Sequence, residues 1–213
     1  MEPFHRLTGV AAPYARDNVD TDAIIPAIAW REAGTDRSRL ADYLFYDARF
    51  DASGKENPSF MLNRPAYRRT QILVAADNFG CGSAREHAPW ALLAFGIRAV
   101  VASSFGDIFY NNCVKNGLLP VTLAAAPLAR LRASVERAGG AQPVSIDLEA
   151  QSLRGPDGES FVFEVDPVGR EMLLEGLDEI GFTLRFVAQI DAFQARQRES
   201  RPWVYSAGFD SRG

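Results

Sequence analysis

The chain has 213 residues, 47% of them hydrophobic and 23% charged, with a formal net charge of −4 at pH 7. This is the make-up of one ordinary globular domain, and it excludes a disordered chain, a collagen-like repeat, a coiled coil and a disulfide scaffold. No run of 18 apolar residues occurs, so no membrane span is expected, and a weakly acidic chain is poorly suited to nucleic acid.

The opening Met1-Glu2-Pro3-Phe4-His5-Arg6 lacks the basic start and apolar run of a signal peptide, which predicts a cytoplasmic protein. The two cysteines, Cys81 and Cys113, read as reduced thiols in that compartment. A structural zinc or an iron–sulfur cluster takes three or four Cys or His ligands. With two Cys and two His in the chain, no metal held by this chain alone is expected.

Residues 1–30 read as a strand, a turn around Asn18-Val19-Asp20, and the apolar Ile24-Ile25-Pro26. Residues 31–66 are rich in Gly, Asp, Ser, Asn and Pro, with one short apolar piece at Tyr43-Leu44-Phe45-Tyr46. A polar connection of this length is usually functional or mobile, so it is the candidate for a loop that covers a site.

Residues 71–122 are the most regular. Strands are predicted over 71–75, 98–102 and 118–121, and helices over 88–95 and 105–115. Gly96 and the Asn116-Gly117 pair mark the two helix ends. Ser104 and Asp107 form a capping pair for the second helix. Strand–helix–strand–helix–strand predicts a parallel α/β sheet with right-handed crossovers.

Beyond it, residues 124–138 read as a helix with Leu128, Leu131 and Val135 on one face. Residues 144–148 and 161–165 alternate and flank the turn Gly155-Pro156-Asp157-Gly158, which predicts a hairpin. Asp166-Pro167 opens a helix that stops by Gly176 or Gly181. A last amphipathic helix is predicted over 184–198. The whole is expected to be a single domain over 1–200 with a disordered tail over 201–213.

The chemistry concentrates in Asp77-Asn78-Phe79-Gly80-Cys81-Gly82-Ser83-Ala84-Arg85-Glu86-His87-Ala88-Pro89, between a strand end and a helix start. Ligands bind in that crevice in open α/β sheets. Gly80 and Gly82 allow backbone N–H groups close to an anion, the helix start adds partial positive charge, and Arg85 can grip a carboxylate at two points. Each residue also has a plainer role. Ser83 with Glu86 fits a capping box, Arg85 suits a solvated surface, and His87 suits a hydrogen-bonded structural position. Pro89 bends the helix if Ser83 caps it; a start near His87 instead leaves Ser83 on a glycine-rich loop. A dinucleotide fingerprint, a nucleophile elbow and a P-loop all fail against these residues. The parts are anion-binding groups and a hydroxyl without an electrophile, which suggests half an active site.

The run from Asn78 to Leu92 resembles the signature of the 3-isopropylmalate dehydratase small-subunit family, in the aconitase superfamily. Asn18-Val19-Asp20-Thr21-Asp22-Ala23-Ile24-Ile25-Pro26 resembles its first motif. Phe105-Gly106-Asp107-Ile108-Phe109-Tyr110-Asn111-Asn112-Cys113 with Asn116-Gly117-Leu118-Leu119-Pro120 resembles its third. The three motifs cover roughly residues 7–123.

This resemblance implies a swivelling β/β/α domain and a partner large subunit that carries a [4Fe–4S] cluster. The implied reaction is a reversible dehydration of a small hydroxy-diacid, inactive in the chain alone. Ser83 matches the catalytic serine, whose alkoxide takes the carbon-bound proton. Arg85 matches the carboxylate-binding arginine and Arg31 a second substrate arginine, and Gly82, Ser83 and Ala84 stand at substrate-binding positions. Asp22 matches an acidic residue near the subunit interface; Glu86 and His87 match supporting positions. Two departures concern the substrate. Ala84 replaces a second serine, and Ala27-Ile28-Ala29-Trp30-Arg31 replaces a more polar piece. They keep open a relative acting on citramalate, dimethylmalate or a homoaconitate-type acid. A carboxylate-binding module without chemistry is the third reading.

Overall fold

The computed structural model describes residues 1–34 and 36–205, with Trp30 described by its backbone only. Residues 206–213 of the expected tail lie outside that range, as does the Trp30 side chain on which part of the substrate reading rests.

Seven strands form one mixed sheet: β1 (Arg6–Pro13), β2 (Thr70–Val74), β3 (Ala99–Ala102), β4 (Leu119–Thr122), β5 (Val144–Asp147), β6 (Ser152–Arg154) and β7 (Ser160–Val162). Their spatial order is β4-β3-β2-β1-β5-β6-β7. The first four run parallel; β5 joins β1 antiparallel, and β5–β7 continue as a meander. The parallel half needs helical crossovers, and α5 (His87–Phe95) and α6 (Asp107–Asn116) supply two of them.

Parallel strands covered on both faces read as apolar runs, and side-chain alternation then splits them between two cores. Leu73, Val100 and Ala102 face one core, with Leu92 of α5 and Phe109 and Cys113 of α6. Ile72, Val74, Ala99 and Val101 face the other. There they meet Leu128, Leu131 and Val135 of α7 (Ala125–Ala138) and Leu173 of α8 (Pro167–Glu175).

The helix ends follow the sequence closely. Gly96 closes α5 in the left-handed region at φ 106°, and Gly117 closes α6 at φ 85°. Asp166 caps α8 by accepting from the Gly169 N–H at 2.8 Å, with Pro167 in the first turn. Helix α5 starts at His87, so Pro89 falls in the first turn, where its missing N–H has no intrahelical partner to lose. Ser83 does not cap it, and the S-x-x-E box does not form.

Four elements differ from expectation. The hairpin joins β6 to β7, and β5 pairs with β6, because a three-residue strand over Ser152–Arg154 is too short to show alternation. Ser104 does not cap α6, whose N-cap is Gly106 without a side-chain bond. Its hydroxyl instead donates to Asp77 Oδ1 at 2.7 Å and accepts from the Asn78 N–H at 2.8 Å.

Residues 31–66, read as a polar connection, hold the end of α2 (Ile28–Ala33), then α3 (Leu40–Tyr43), α4 (Tyr46–Arg49) and short 3-10 turns. Leu40, Leu44, Phe45, Met61 and Leu62 are buried in the core. Buried Arg49 donates to the carbonyls of Ala41 and Leu44 at 3.0 and 3.2 Å, and Asn63 Nδ2 donates to Arg49 O at 2.7 Å. Polar side chains here satisfy internal backbone groups.

The expected last helix forms as α10 (Val187–Ser200), but an unexpected short helix, α9 (Glu179–Leu184), precedes it, and neither buries a residue among those described. Among the described residues no helix is long and apolar enough to cross a membrane.

Candidate active site

Two loops leave adjacent parallel strands at their C-terminal ends, one after β1 and one after β2. Backbone bonds join them: Asn18 N donates to Asp77 O at 2.9 Å, Gly80 N to Val19 O at 2.7 Å, and Thr21 N to Cys81 O at 3.0 Å. Asn18 and Asn78 both take left-handed backbone conformations, which Asn tolerates better than most side chains, and Asn78 Nδ2 donates to Asn18 Oδ1 at 2.8 Å. The serines of the next loop brace the same seam. Ser104 and Ser103 both donate to Asp77, and they hold its carboxyl below the usual carboxylate range.

Gly80 serves this joint. Its φ is 76°, its N–H is used by Val19, and a Cβ there would run into the Phe109 ring. The N–H expected to approach an anion is therefore already bonded. Gly82, at φ 92° with only Asp20 Cβ and Thr21 Oγ1 nearby, is the glycine on the open side of the loop.

The seam brings Ser83 and Arg85 from the second loop against Thr21 and Asp22 from the first. Ser83 and Ala84 are exposed, while Arg85 is partly covered. Ser83 Oγ lies 2.7 Å from Thr21 Oγ1, and the Ser83 N–H donates to the same Thr21 oxygen at 3.3 Å. Asp22 forms an ion pair with the Arg85 guanidinium. Asp20 starts α1 (Thr21–Ile24) by accepting from the Ala23 N–H at 2.7 Å, which fixes the backbone that carries Thr21 and Asp22.

Glu86 and His87 stand to one side. Glu86 Oε1 accepts from Asn116 Nδ2 at 3.3 Å, and Asn116 Oδ1 accepts from Trp90 Nε1 at 2.7 Å. The His87 ring packs on Trp90 with centroids 4.8 Å apart. Burial pushes the His87 pKa down, and the Arg85 charge adds to the shift, which favours the neutral ring. On the far side of the chain order, the Arg37 guanidinium lies 3.7 Å over the Trp90 ring and ties the segment after α2 to α5. Arg31 is exposed on α2 and makes no hydrogen bond or ion pair among the described residues. The structure thus joins the loop of Ser83 and Arg85 to Thr21 and Asp22, and no bond ties Arg31 to them among the described residues.

Cys113 is fully buried in the core, and burial pushes its thiol well above the ordinary value; such a thiol is inert. Among the described residues, no group of three or more His, Cys, Asp or Glu side chains converges.

A hydroxyl beside a guanidinium can hold a carboxylate and meet the hydrogen on the neighbouring carbon. The model described as the aconitase C-terminal domain matches residues 1–126. A relative from Brucella anthropi named 3-isopropylmalate dehydratase small subunit is 52% identical over 96% of this chain and 100% of its own length. This chain belongs to the 3-isopropylmalate dehydratase small-subunit family.

The same name is carried by relatives from Jannaschia sp., 54% identical over 96% of this chain and 100% of theirs, and from Rhodospirillum centenum, 54% over 96% and 99%. Residues 129–167 match a model described as LeuD_N, and residues 179–207 match one described as the C-terminal domain of the 3-isopropylmalate dehydratase small subunit. A crystal structure of 3-isopropylmalate dehydratase from Methanocaldococcus jannaschii superimposes with a TM-score of 0.62 at 28% identity, covering 90% of this chain and 99% of that one. The α/β reading and the family resemblance both hold.

Two residues of the site carry no signal of their own in the sequence. Thr21 falls within the run that resembles the family's first motif, but no role attaches to it there, and its meaning comes from the pairing with Ser83. Arg37 sits in a segment whose polar composition reads as loop; nothing in its local sequence marks the stack on Trp90.

Proposed function

We propose that this chain is the proton-transfer subunit of a hydro-lyase that interconverts 2-isopropylmalate and 3-isopropylmalate in leucine biosynthesis, in the cytoplasm. The observation that carries this is the seam itself: Ser83 and Arg85 project from one loop and are held against Thr21 and Asp22 of the next. The relatives' shared name favours this diacid over citramalate, dimethylmalate or a homoaconitate-type acid. It also disfavours a binding module without chemistry.

Ser83, as the alkoxide, takes the proton from the substrate carbon. The C–H electron pair becomes the π bond of the alkene, and the hydroxyl on the adjacent carbon leaves as water with a proton given by an acid on the large subunit, because the carbon-bound proton stays on Ser83. Arg85 grips a substrate carboxylate, which fixes the reacting carbon beside Ser83. Asp22 holds the guanidinium in place by its ion pair. Gly82 and Ala84 leave the approach to Ser83 open, and Arg31, exposed on α2, is a second carboxylate contact. Glu86 and His87 support the loop.

The residues of this chain do not make a cluster's ligand set: the Cys113 thiol is sealed in the core, and no ligand group converges among the described residues. A [4Fe–4S] cluster on the large subunit would supply Lewis acidity for the departing hydroxyl. Within this proposal the chain alone is inactive, and neither nucleic acid nor membrane is a partner.

The test is anaerobic co-purification with the large subunit and alkene absorbance with 3-isopropylmalate, citramalate and dimethylmalate side by side. Turnover led by 3-isopropylmalate is expected. Turnover led by a smaller acid would reassign the substrate, and no turnover from a cluster-loaded complex would contradict the reaction.

A further inference from the structure

A base made from serine needs a partner that stabilises its charged form, and the protein supplies one from the neighbouring loop. Thr21 is 1% exposed, yet its hydroxyl is 2.7 Å from Ser83 Oγ, the one hydrogen bond that Ser83 Oγ makes among the described residues. The Thr21 backbone is pinned at both ends: its N–H donates to Cys81 O at 3.0 Å, and its carbonyl accepts from the Ile25 N–H at 3.0 Å. The hydroxyl is therefore sealed from water and aimed by the fold.

The direction of the bond follows from the chemistry. Two neutral hydroxyls can bond either way, but an alkoxide has no hydrogen to give. Thr21 must then donate to Ser83. The Thr21 oxygen meanwhile receives the Ser83 N–H at 3.3 Å, which polarises its O–H and strengthens the donation. Serine and its donor are thus coupled through one residue's backbone and another's side chain. A bond to a charged acceptor is roughly twice as strong as the same bond between neutral groups.

We propose that Thr21 is a positioning residue of this reaction, whose buried hydroxyl holds Ser83 Oγ in line and stabilises its alkoxide. The proposal rests on Ser83 as the base. Thr21 keeps its own proton throughout: Ser83 gains the substrate's proton, and the Thr21 bond weakens to a neutral one as it does so. The bond is strongest when Ser83 is charged, so it favours the reactive state over the resting one.

The experiment compares Thr21→Val and Thr21→Ser in the complex with the large subunit, each checked for co-purification and thermal unfolding. Ser83→Ala is the reference. Thr21→Val keeps the shape and removes the hydroxyl; it should lower kcat about 10²-fold with KM within threefold. Thr21→Ser restores the hydroxyl and should recover kcat to within tenfold of the parent. If Thr21→Val does not assemble, Thr21→Ala, which fits any space that threonine fits, is read in its place. A kcat within threefold of the parent would overturn the proposal. So would equal losses in the Val and Ser variants, or a loss carried by KM alone. An active Ser83→Ala would overturn the base assignment itself, whereas an inactive Ser83→Ala beside a normal Thr21→Val would overturn only the role of Thr21.

Discussion

Arg85 is partly covered while its partner Asp22 is largely exposed. An exposed ion pair of this kind adds little to stability, so its use is to orient a guanidinium. Substituting Arg85→Lys keeps the charge and loses the two-point grip on a carboxylate. We expect kcat/KM to fall by about tenfold or more, with unfolding unchanged, measured by steady-state kinetics and a thermal melt of the same complex. His87 gives a prediction of opposite kind. Its folded pKa is depressed by burial and by Arg85, so the unfolded chain binds the proton more readily. Stability is then full above the unfolded value of about 6.5 and is lost as pH falls below it. His87→Gln should flatten that loss in melts taken from pH 7.5 to 5. Much of this site was legible as residue types: a serine and an arginine on a glycine loop at a strand end. The pairing of Ser83 with Thr21 was not, because the two are 62 positions apart and only the sheet order makes them neighbours.

Helix ends were the most legible elements, since Gly96 and Gly117 are local signals that tertiary packing did not override. Capping was less so. Ser104 and Ser83 both sit where a cap would be placed, and both hydroxyls are claimed by a partner from another loop, Asp77 for one and Thr21 for the other. The helical turns over residues 31–66 were hidden because each is one turn long, below what periodicity resolves. Gly80 is the position on which the loop–loop joint depends. Gly80→Ala imposes a side chain both on a left-handed backbone and on the Phe109 ring, and should cost about 2–4 kcal/mol. Gly54→Ala, at φ 78° with nothing within 4 Å, carries the backbone strain alone and should cost about 1–2 kcal/mol. Equal losses in denaturant melts would mean that the Phe109 contact is unimportant.

At the scale of the whole molecule, the sheet and its two cores account for the buried apolar residues, and α9 and α10 stand outside them. Exposed ion pairs attach them, Lys115 with Glu179 and Arg185 with Glu171 and Glu175. Truncation after Leu177 should therefore lower stability by no more than about 2 kcal/mol; a larger loss in denaturant melts would show that these helices belong to the core. The parallel half of the sheet was readable from its alternating strands and helices. Its antiparallel extension was only half readable, because β6 is three residues long. The function reads as half an active site in sequence and in structure alike, since the serine and arginine face outward with no electrophile of their own. The measurement that bears most directly on this account is turnover of the Ser83→Ala complex, anaerobic and cluster-loaded, with 3-isopropylmalate. Loss of a positioned base should lower kcat by about 10²–10⁴-fold while partner binding and unfolding stay unchanged. Turnover within threefold of the parent would show that Ser83 does not take the proton.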